Sequence, residues 1–436
     1  MGEICVLHPN PRVKSLEAAL DSVASASKWQ DESVNTSILE LETKPEPRPQ
    51  PQPEKERLPT PAPQPTATRK PPLPALTGIR TLLAIFIILF HFTPPHLGLL
   101  YPFIDNGYIF VGVFFLISGY VLTYNYADRG RSLSKREFWL ARISRLYPVY
   151  LFVLLISLSM VQDEWHARSH AEFWRGIILT PLVLQGWSPS VATFWNTVAW
   201  TLTSECVLYA AFPWLIRLPW PKRPLHLVVL LFAIWDIGLI PHSLYLYLNP
   251  DHIVGPVDRY SSTQLIRFLK YTPLPYVCTF LTGVTLGKLQ LALVLTPRQR
   301  LILSAVSLAI VGLFFYALVS HTPYLLMHGG LMTPVFAALV LGLSGPHPIS
   351  ALFSWRPLLL IGESSYCLYL LHFNVFQLLH THHVPERLHL VALDPWLSYA
   401  ILILLALAVF HFVETPARNA ILRRFSRKPR ALVPAS

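Results

Sequence analysis

The chain has 436 residues, of which 53% are hydrophobic and 14% are charged, and its formal net charge at pH 7 is +11. Soluble domains carry about 25% charged residues, and the deficit arises because long stretches of this chain contain none. Runs of roughly 20 apolar residues recur from Leu76 onward, and a run of that length crosses a bilayer as a helix. The composition therefore excludes a soluble multi-domain protein. The excess of Lys and Arg indicates basic cytoplasmic loops, and no aromatic-basic motif indicates a nucleic-acid partner.

The first 74 residues differ in composition from the rest of the chain. Between Pro45 and Pro74, prolines alternate with polar residues, a pattern that favours an extended, solvated chain. We predict a disordered cytoplasmic tail and Pro-rich linker over 1–74, a transmembrane domain over 75–424 and a basic cytoplasmic tail over 425–436. A Pro-x-x-Pro docking site is the alternative interpretation of the linker.

Eleven apolar segments follow, and each is a candidate membrane helix. They lie near 78–98, 107–126, 143–162, 174–187, 197–217, 225–248, 273–293, 301–320, 328–345, 358–380 and 396–416. The fourth is short for a membrane crossing. We predict an all-α polytopic membrane protein with about ten spanning helices.

The distribution of Lys and Arg sets the predicted orientation in the plasma membrane. The loop after the first segment contains neither residue, whereas 127–145 is rich in both. If 174–187 dips into the membrane and returns, or lies at the interface, the later basic clusters also fall on the cytoplasmic side. Loop 249–272 is a mild exception. Ten spans with both termini in the cytoplasm follow from this arrangement.

Ionisable side chains are costly in a membrane and mark functional sites, and three of the predicted spans place such groups at a similar depth. Arg80 and His91 lie eleven residues apart on the first helix, so they share a face. At about 1.5 Å per residue, His91, Glu205 and His372 each lie roughly 18 to 21 Å from the cytoplasmic side. One buried polar cavity would explain this shared depth. Alternatively, Arg80 is a snorkelling anchor and the others are hydrogen-bonded packing residues.

Two further groups of residues are candidates for a site. Tyr366, Tyr369 and His372 recur at every third position and share a helix face, a stripe that more often serves packing. Arg142 and Arg145 lie one turn apart at a helix start, where two guanidinium groups suit phosphate binding. Anchoring on the cytoplasmic side is the commoner use of such arginines. The four cysteines are not closely spaced, which predicts no metal site.

These residues resemble the motifs of the membrane acyltransferase-3 family. LTGIR followed by His91 is similar to the family's Arg-x10-His motif, and ARISRLYP to its Arg-x-x-Arg-x-x-Pro element. VGVFFLISGY, WTLTSE, FLTGVTLG, GESSYCLYLLH and FVETPARN resemble further signatures, in order, between Leu76 and Arg424. Two departures are Thr201 and Thr203 in place of serines. The acidic residue that commonly precedes the Phe-Phe pair is also absent.

The resemblance implies transfer of an acyl group, often acetyl, from acyl-CoA to a hydroxyl group. The implied acceptor is a sugar of a cell-surface glycan or a small glycosylated metabolite, and the implied essential pair is Arg80 and His91. No permanently bound cofactor is implied. On this basis we expect Arg142 and Arg145 to hold the phosphates of CoA, with Arg80 on a second phosphate or on the pantetheine arm.

The expected chemistry takes place near His91, Glu205 and His372. His91 would act as general base, because the pKa of imidazole is near neutrality, and Glu205 could orient its ring. Tyr369 or Ser118 could donate a hydrogen bond to the developing oxyanion. An acyl-histidine intermediate is the alternative chemistry. A proton-coupled transporter and a membrane scaffold without catalytic activity are the alternative functions.

Single cysteines test the predicted orientation by their accessibility to a membrane-impermeant maleimide. A cysteine introduced at Ser132 should be labelled only from the cytoplasmic side, because it lies in a strongly basic loop. Cysteines at Leu97, Thr193 and Ser320 should be labelled only from the opposite side. Labelling of the Thr193 variant from the cytoplasm would show that 174–187 crosses the membrane.

Overall fold

The computed structural model describes residues 70–95 and 97–425, and these residues form helices without any β-strand. The predicted tails lie outside the described residues, apart from 70–74 and Phe425. We number the helices that correspond to the ten predicted spans. They are α1 Pro74–His91, α2 Ile109–Tyr126, α3 Lys135–Ile156, α4 Trp200–Leu215, α5 Pro224–Leu248, α6 Tyr276–Ala292, α7 Pro297–Leu313, α8 Thr333–Leu343, α9 Ser365–Thr381 and α10 Trp396–Val409.

Shorter helical segments connect these elements. The α-helical ones are Tyr101–Asp105, Met160–Ala167, His170–Leu179, Gln264–Tyr271, Tyr324–His328, Pro348–Phe353, Arg356–Glu363, Val384–Arg387 and Thr415–Phe425. The 3₁₀ turns are Gly98–Leu100, Gly130–Ser132, Gln185–Trp187, Pro189–Val191, Val319–His321 and Val391–Leu393. Two π-helical segments, Phe314–Leu318 and Phe410–Glu414, continue α7 and α10.

Seven helices of the described chain are long and apolar enough to cross a membrane. The number of spans rises to eight if the two helices Arg356–Glu363 and Ser365–Thr381, which are bent by 68° relative to each other, are counted as one span. The predicted class, an all-α polytopic membrane protein, is thus confirmed. The count of about ten is not, because α4 and α6 have only 16 and 17 residues, and such helices are about 25 Å long.

Segment 174–187 does not form a long helix. It belongs to helix His170–Leu179, which has ten residues, and to the turns that follow it. A helix of that length is about 15 Å long, roughly half the thickness of the hydrocarbon layer. This helix alone therefore cannot cross the membrane.

Three predicted boundaries are corrected by the structure. α1 ends at His91, short of the predicted 98, because Pro94 and Pro95 lack the amide protons that would continue the helix. α3 begins at Lys135, eight residues before the predicted 143, where the hydroxyl of Ser134 caps it. The predicted continuous helix 358–380 is instead broken at Ser364.

Close contacts between backbones fix the centre of the bundle. A Cβ atom at Gly119 of α2 would lie 2.3 Å from the Phe280 carbonyl oxygen of α6, and one at Gly283 would lie 2.1 Å from that of Leu116. Small residues allow such approaches between helices in lipid. The contact holds the inner face of α2 against α6, and Ser118 on α2 faces a cavity.

Candidate active site

A cavity with about 1030 Å³ of empty space, including its open mouth, lies among α1, α2, α3, α4 and α9. Six of the eight candidate residues line it, whereas His91 and His372 do not. Its polar wall consists of Arg80, Ser118, Arg142, Arg145, Thr201, Glu205, Tyr209, Ser365, Tyr366 and Tyr369.

Two of the three arginines in this wall are held by neutral groups. The Nη2 atom of Arg80 donates a hydrogen bond to the hydroxyl of Ser365 at 3.0 Å, and the guanidinium lies 6.0 Å from the Phe114 ring centroid. Arg142 lies 5.9 Å from the ring centroid of Tyr209, and its buried Nε atom has no hydrogen-bond partner. Within residues 70–95 and 97–425 no carboxylate is paired with either arginine, so both retain the capacity to bind an anion.

The third arginine is compensated by a carboxylate that the sequence analysis did not assign. Nε of Arg145 lies 3.4 Å from Oε1 of Glu414, a residue that is 1% exposed. The thiol of Cys367 donates to Oε2 of Glu414 at 3.1 Å. Glu414 is the last residue of the π-helical segment after α10. Its place in the FVETPARN motif was the available signal.

A chain of hydroxyl groups connects Glu205 to α2. Tyr209 donates a hydrogen bond to Oε1 of Glu205, and its oxygen lies 2.9 Å from that of Ser118. Tyr209 lies one turn after Glu205 on α4, so the i, i+4 spacing was the signal that sequence reasoning missed. The main-chain oxygen of Tyr209 accepts from Nε1 of Trp139 at 3.2 Å. Glu205 is therefore a hydrogen-bonded carboxylate on the cavity wall.

The two candidate histidines contact each other beyond Tyr369. The ring centroids of His91 and His372 are 5.2 Å apart, and those of His372 and Tyr369 are 5.5 Å apart. Nδ1 of His372 lies 2.5 Å from the Tyr369 carbonyl oxygen, which can only accept, so Nδ1 carries the proton. Nε2 of this fully buried ring has no hydrogen-bond partner among the residues that the structure describes. In the neutral ring its lone pair is free.

The expected common cavity of the two histidines and Glu205 is thus divided. Glu205 and Tyr369 line the cavity, whereas the two histidines do not line it, and of these His372 contacts the Tyr369 ring. Arg80 and His91 do share a face of α1, since both contact α9, Arg80 at Ser365 and His91 at His372. No group of three or more metal-ligating side chains is placed to hold a metal ion within residues 70–95 and 97–425.

The helices and the cavity together define a class of protein. It is a polytopic membrane protein whose bundle encloses an arginine-lined chamber, with a histidine pair beyond one of its walls. The family model described as an acyltransferase domain matches residues 73–412. The chain belongs to this family, and the resemblance seen in the motifs is confirmed.

Curated relatives support the same assignment. The chain is 26% identical over 401 residues to the O-acetyltransferase OatA of Staphylococcus aureus, a match that covers 82% of this chain and 59% of the relative. It is 25% identical to the peptidoglycan O-acetyltransferase OatA of Listeria monocytogenes, a match that covers 80% of this chain and 56% of the relative. The acyltransferase MdmB of Streptomyces mycarofaciens is 31% identical over 159 residues, 34% of this chain and 40% of that one.

This chain therefore matches somewhat more than half the length of each OatA relative. No solved structure gives a significant match.

The ion pair between Arg145 and Glu414 can be tested by a double-mutant cycle. Glu414→Gln should lower the free energy of unfolding by about 2–3 kcal/mol. This loss is at or below the usual loss for a broken buried ion pair, because Arg145 is partly open to the cavity. Arg145→Gln together with Glu414→Gln should lose clearly less than the two single changes summed. Thermal unfolding in detergent supplies the measurement. Additive losses would show that the two side chains do not interact.

Proposed function

We propose that this protein is a membrane O-acetyltransferase that moves an acetyl group from acetyl-CoA to a hydroxyl group of a cell-wall glycan. The observation that carries the proposal is the cavity inside the bundle, which is lined by Arg80, Arg142 and Arg145. Family membership supports acyl transfer, and the relative described as a peptidoglycan O-acetyltransferase favours a glycan acceptor. No permanently bound cofactor is required, since the donor brings the acetyl group.

The charges of the cavity suit an anionic donor. Three guanidinium groups face two carboxylates, Glu205 in the wall and Glu414 behind Arg145. An anion with several phosphates, as in CoA, would offset the remaining positive charge. The break in the helix also favours an anionic donor. α9 begins at Ser365 in the cavity wall, and a helix N-terminus favours anions.

The donor would enter from the end of the bundle where α3 begins, which is the predicted cytoplasmic side. Arg142 and Arg145 lie in the second and third turns of this helix. The thioester would extend past Tyr369 towards the histidine pair, since Tyr369 lines the cavity and its ring contacts His372. Tyr369 would therefore decide whether the acetyl group reaches the histidines.

His91 would act as general base on the acceptor hydroxyl. The oxygen attacks the thioester carbonyl carbon, the bond to sulfur breaks, and the proton passes from His91 to the thiolate. His372 holds its Nε2 lone pair beside His91 and would orient that ring or share its proton. Tyr369 would stabilise the oxyanion. The Ser118 hydroxyl donates its proton to Tyr209, and Glu205 would hold both hydroxyl groups in the cavity wall.

Two alternatives make different predictions. In an acyl-histidine mechanism His91 attacks the thioester, so an acetylated enzyme would form with donor alone. A transporter would bind the same anions without consuming acetyl-CoA. Release of free CoA thiol only in the presence of a glycan supports direct transfer and separates it from both.

The donor site is tested by removing its cations. Arg142→Ala with Arg145→Ala should weaken acetyl-CoA binding by about 100-fold or more, because each charge-assisted hydrogen bond is worth about 1.5–3 kcal/mol. Isothermal titration of protein in lipid nanodiscs measures the affinity. Arg142→Ala alone leaves Glu414 paired with Arg145 and should show part of the loss. Arg298→Ala, an exposed arginine outside the cavity, is the matched control. Unchanged affinity in the double variant would make these arginines membrane anchors only.

The proposed base is tested by His91→Gln, which keeps hydrogen bonding but cannot take a proton. Acetyl transfer to soluble peptidoglycan fragments should fall by roughly two to four orders of magnitude, with acetyl-CoA binding intact. Arg80→Lys should weaken binding more than turnover, because lysine lacks the planar guanidinium. His382→Gln, at an exposed histidine, is the control. Near-normal turnover of His91→Gln would make His91 a packing residue, and His372 or Glu205 the base to test next.

A further inference from the structure

A second cavity lies among the loops at the end of the bundle where α1 finishes. It has about 1230 Å³ of empty space, including its open mouth, and we name it the loop cleft. Its walls come from the start of α2, from the loop after α5 and from the connection between α7 and α8. Side chains that line it include Asn106, Tyr108, Tyr245, Arg259, Ser320 and Tyr324.

One phenylalanine, Phe90, contacts both residues that line the loop cleft and His91. The guanidinium of Arg259 lies 4.8 Å from the ring centroid of Phe90, and the Tyr108 ring lies 5.7 Å from it. The Phe90 and His91 rings are 5.1 Å apart. At the other end of α1, Lys70 forms an ion pair with Asp128 at 2.7 Å. The cleft therefore lies at the histidine end of α1, away from the start of the helix.

The lining of the loop cleft, which includes the Asp258 carboxylate, favours a polyhydroxylated ligand without negative charge. Arg259 is paired with Asp105 and also donates to its carbonyl oxygen at 3.0 Å, so its charge is compensated. Three tyrosines belong to the lining, of which Tyr324 is partly exposed and Tyr108 and Tyr245 are buried, and each combines an apolar ring with a polar edge. The Asn106 amide and the Ser320 hydroxyl add hydrogen-bonding groups of both kinds. Sugars combine hydroxyl groups with apolar C–H faces and match such a lining.

The cleft is also held in shape by groups outside its lining. Nζ of the buried Lys270 donates to the carbonyl oxygens of Arg259 at 2.8 Å and of Ser261 at 3.1 Å. Burial lowers the pKa of Lys270 to about 8, so the amine remains largely protonated at neutral pH and keeps its donors. Asp251 accepts hydrogen bonds from Tyr245, at 2.8 Å, and from Thr263. A loop that is already ordered loses less conformational entropy when a ligand binds.

We propose that the loop cleft binds the sugar acceptor and presents one of its hydroxyl groups to His91. This inference rests on the proposed acetyltransferase function and adds the place of the acceptor. Donor and acceptor would then approach the histidine pair from opposite ends of α1. The thioester would come from the arginine-lined cavity and the hydroxyl group from the loop cleft.

The test is to block the cleft in an intact, purified protein. Ser320→Cys places a thiol in the cleft wall, and a polyethylene glycol maleimide of several kilodaltons fills the space once attached. Val391→Cys is the matched control, since this exposed residue follows α9 and does not line the cleft. Wild-type protein treated with the same reagent reports any effect of the native cysteines.

Two rates are compared in proteoliposomes, with acetyl-CoA as donor and soluble peptidoglycan oligosaccharides as acceptor. Labelled Ser320→Cys should transfer acetyl groups at least tenfold more slowly than the same variant unlabelled, with an unchanged dissociation constant for acetyl-CoA. Labelled Val391→Cys should keep its unlabelled rate. Equal rates for labelled and unlabelled Ser320→Cys would overturn the acceptor site while the acetyltransferase function stands. A label that equally weakens acetyl-CoA binding would also overturn it, and a wild type without glycan acetylation would overturn both.

Discussion

Charge compensation inside a lipid-embedded bundle is the constraint on which this structure depends. A guanidinium group in the hydrocarbon region is stable only with partners from neighbouring helices. Arg80 on α1 uses a hydroxyl of α9, and Arg145 on α3 uses the carboxylate that follows α10. These two contacts join α1 to α9 and α3 to the segment after α10, and α1, α3 and α9 line the same cavity. The need to give these arginines partners thus positions the helices, and the cavity that results has more positive than negative groups.

α1 connects the two places where substrates would be bound. Arg80 near its start faces the cavity, and His91 at its end faces His372 and lies one ring away from the loop cleft. A rigid helix keeps these groups about 16 Å apart, at 1.5 Å per residue. The pantetheine arm of the proposed donor, when extended, would bridge that distance, and a small donor would not. The separation would make the enzyme selective for long, flexible donors.

The sequence predicted the features that depend on local periodicity and missed those that depend on tertiary contacts. The spacing of Arg80 and His91 placed both on one face of α1, and the apolar segments located the helices. The break at Ser364 was not predicted, because apolar residues continue on both sides of it. The pairing of Arg145 with Glu414 was missed because it joins helices that are distant in sequence. The separation of the histidines from Glu205 also depends on the Tyr369 ring, whose rotamer no pattern specifies.

The π-helical segment Phe410–Glu414 has a consequence for how this family can vary. A π turn holds one residue more than an α turn, so the chain after it is rotated by about 100° relative to a continuous α-helix. Glu414 points at Arg145 only in that phase. Loss of one residue between Phe410 and Val413 would turn the carboxylate away and leave Arg145 uncompensated. Side-chain substitutions between Phe410 and Val413 therefore keep the phase of Glu414, whereas a single-residue deletion there changes it, and a relative with such a deletion needs another anion opposite its arginine.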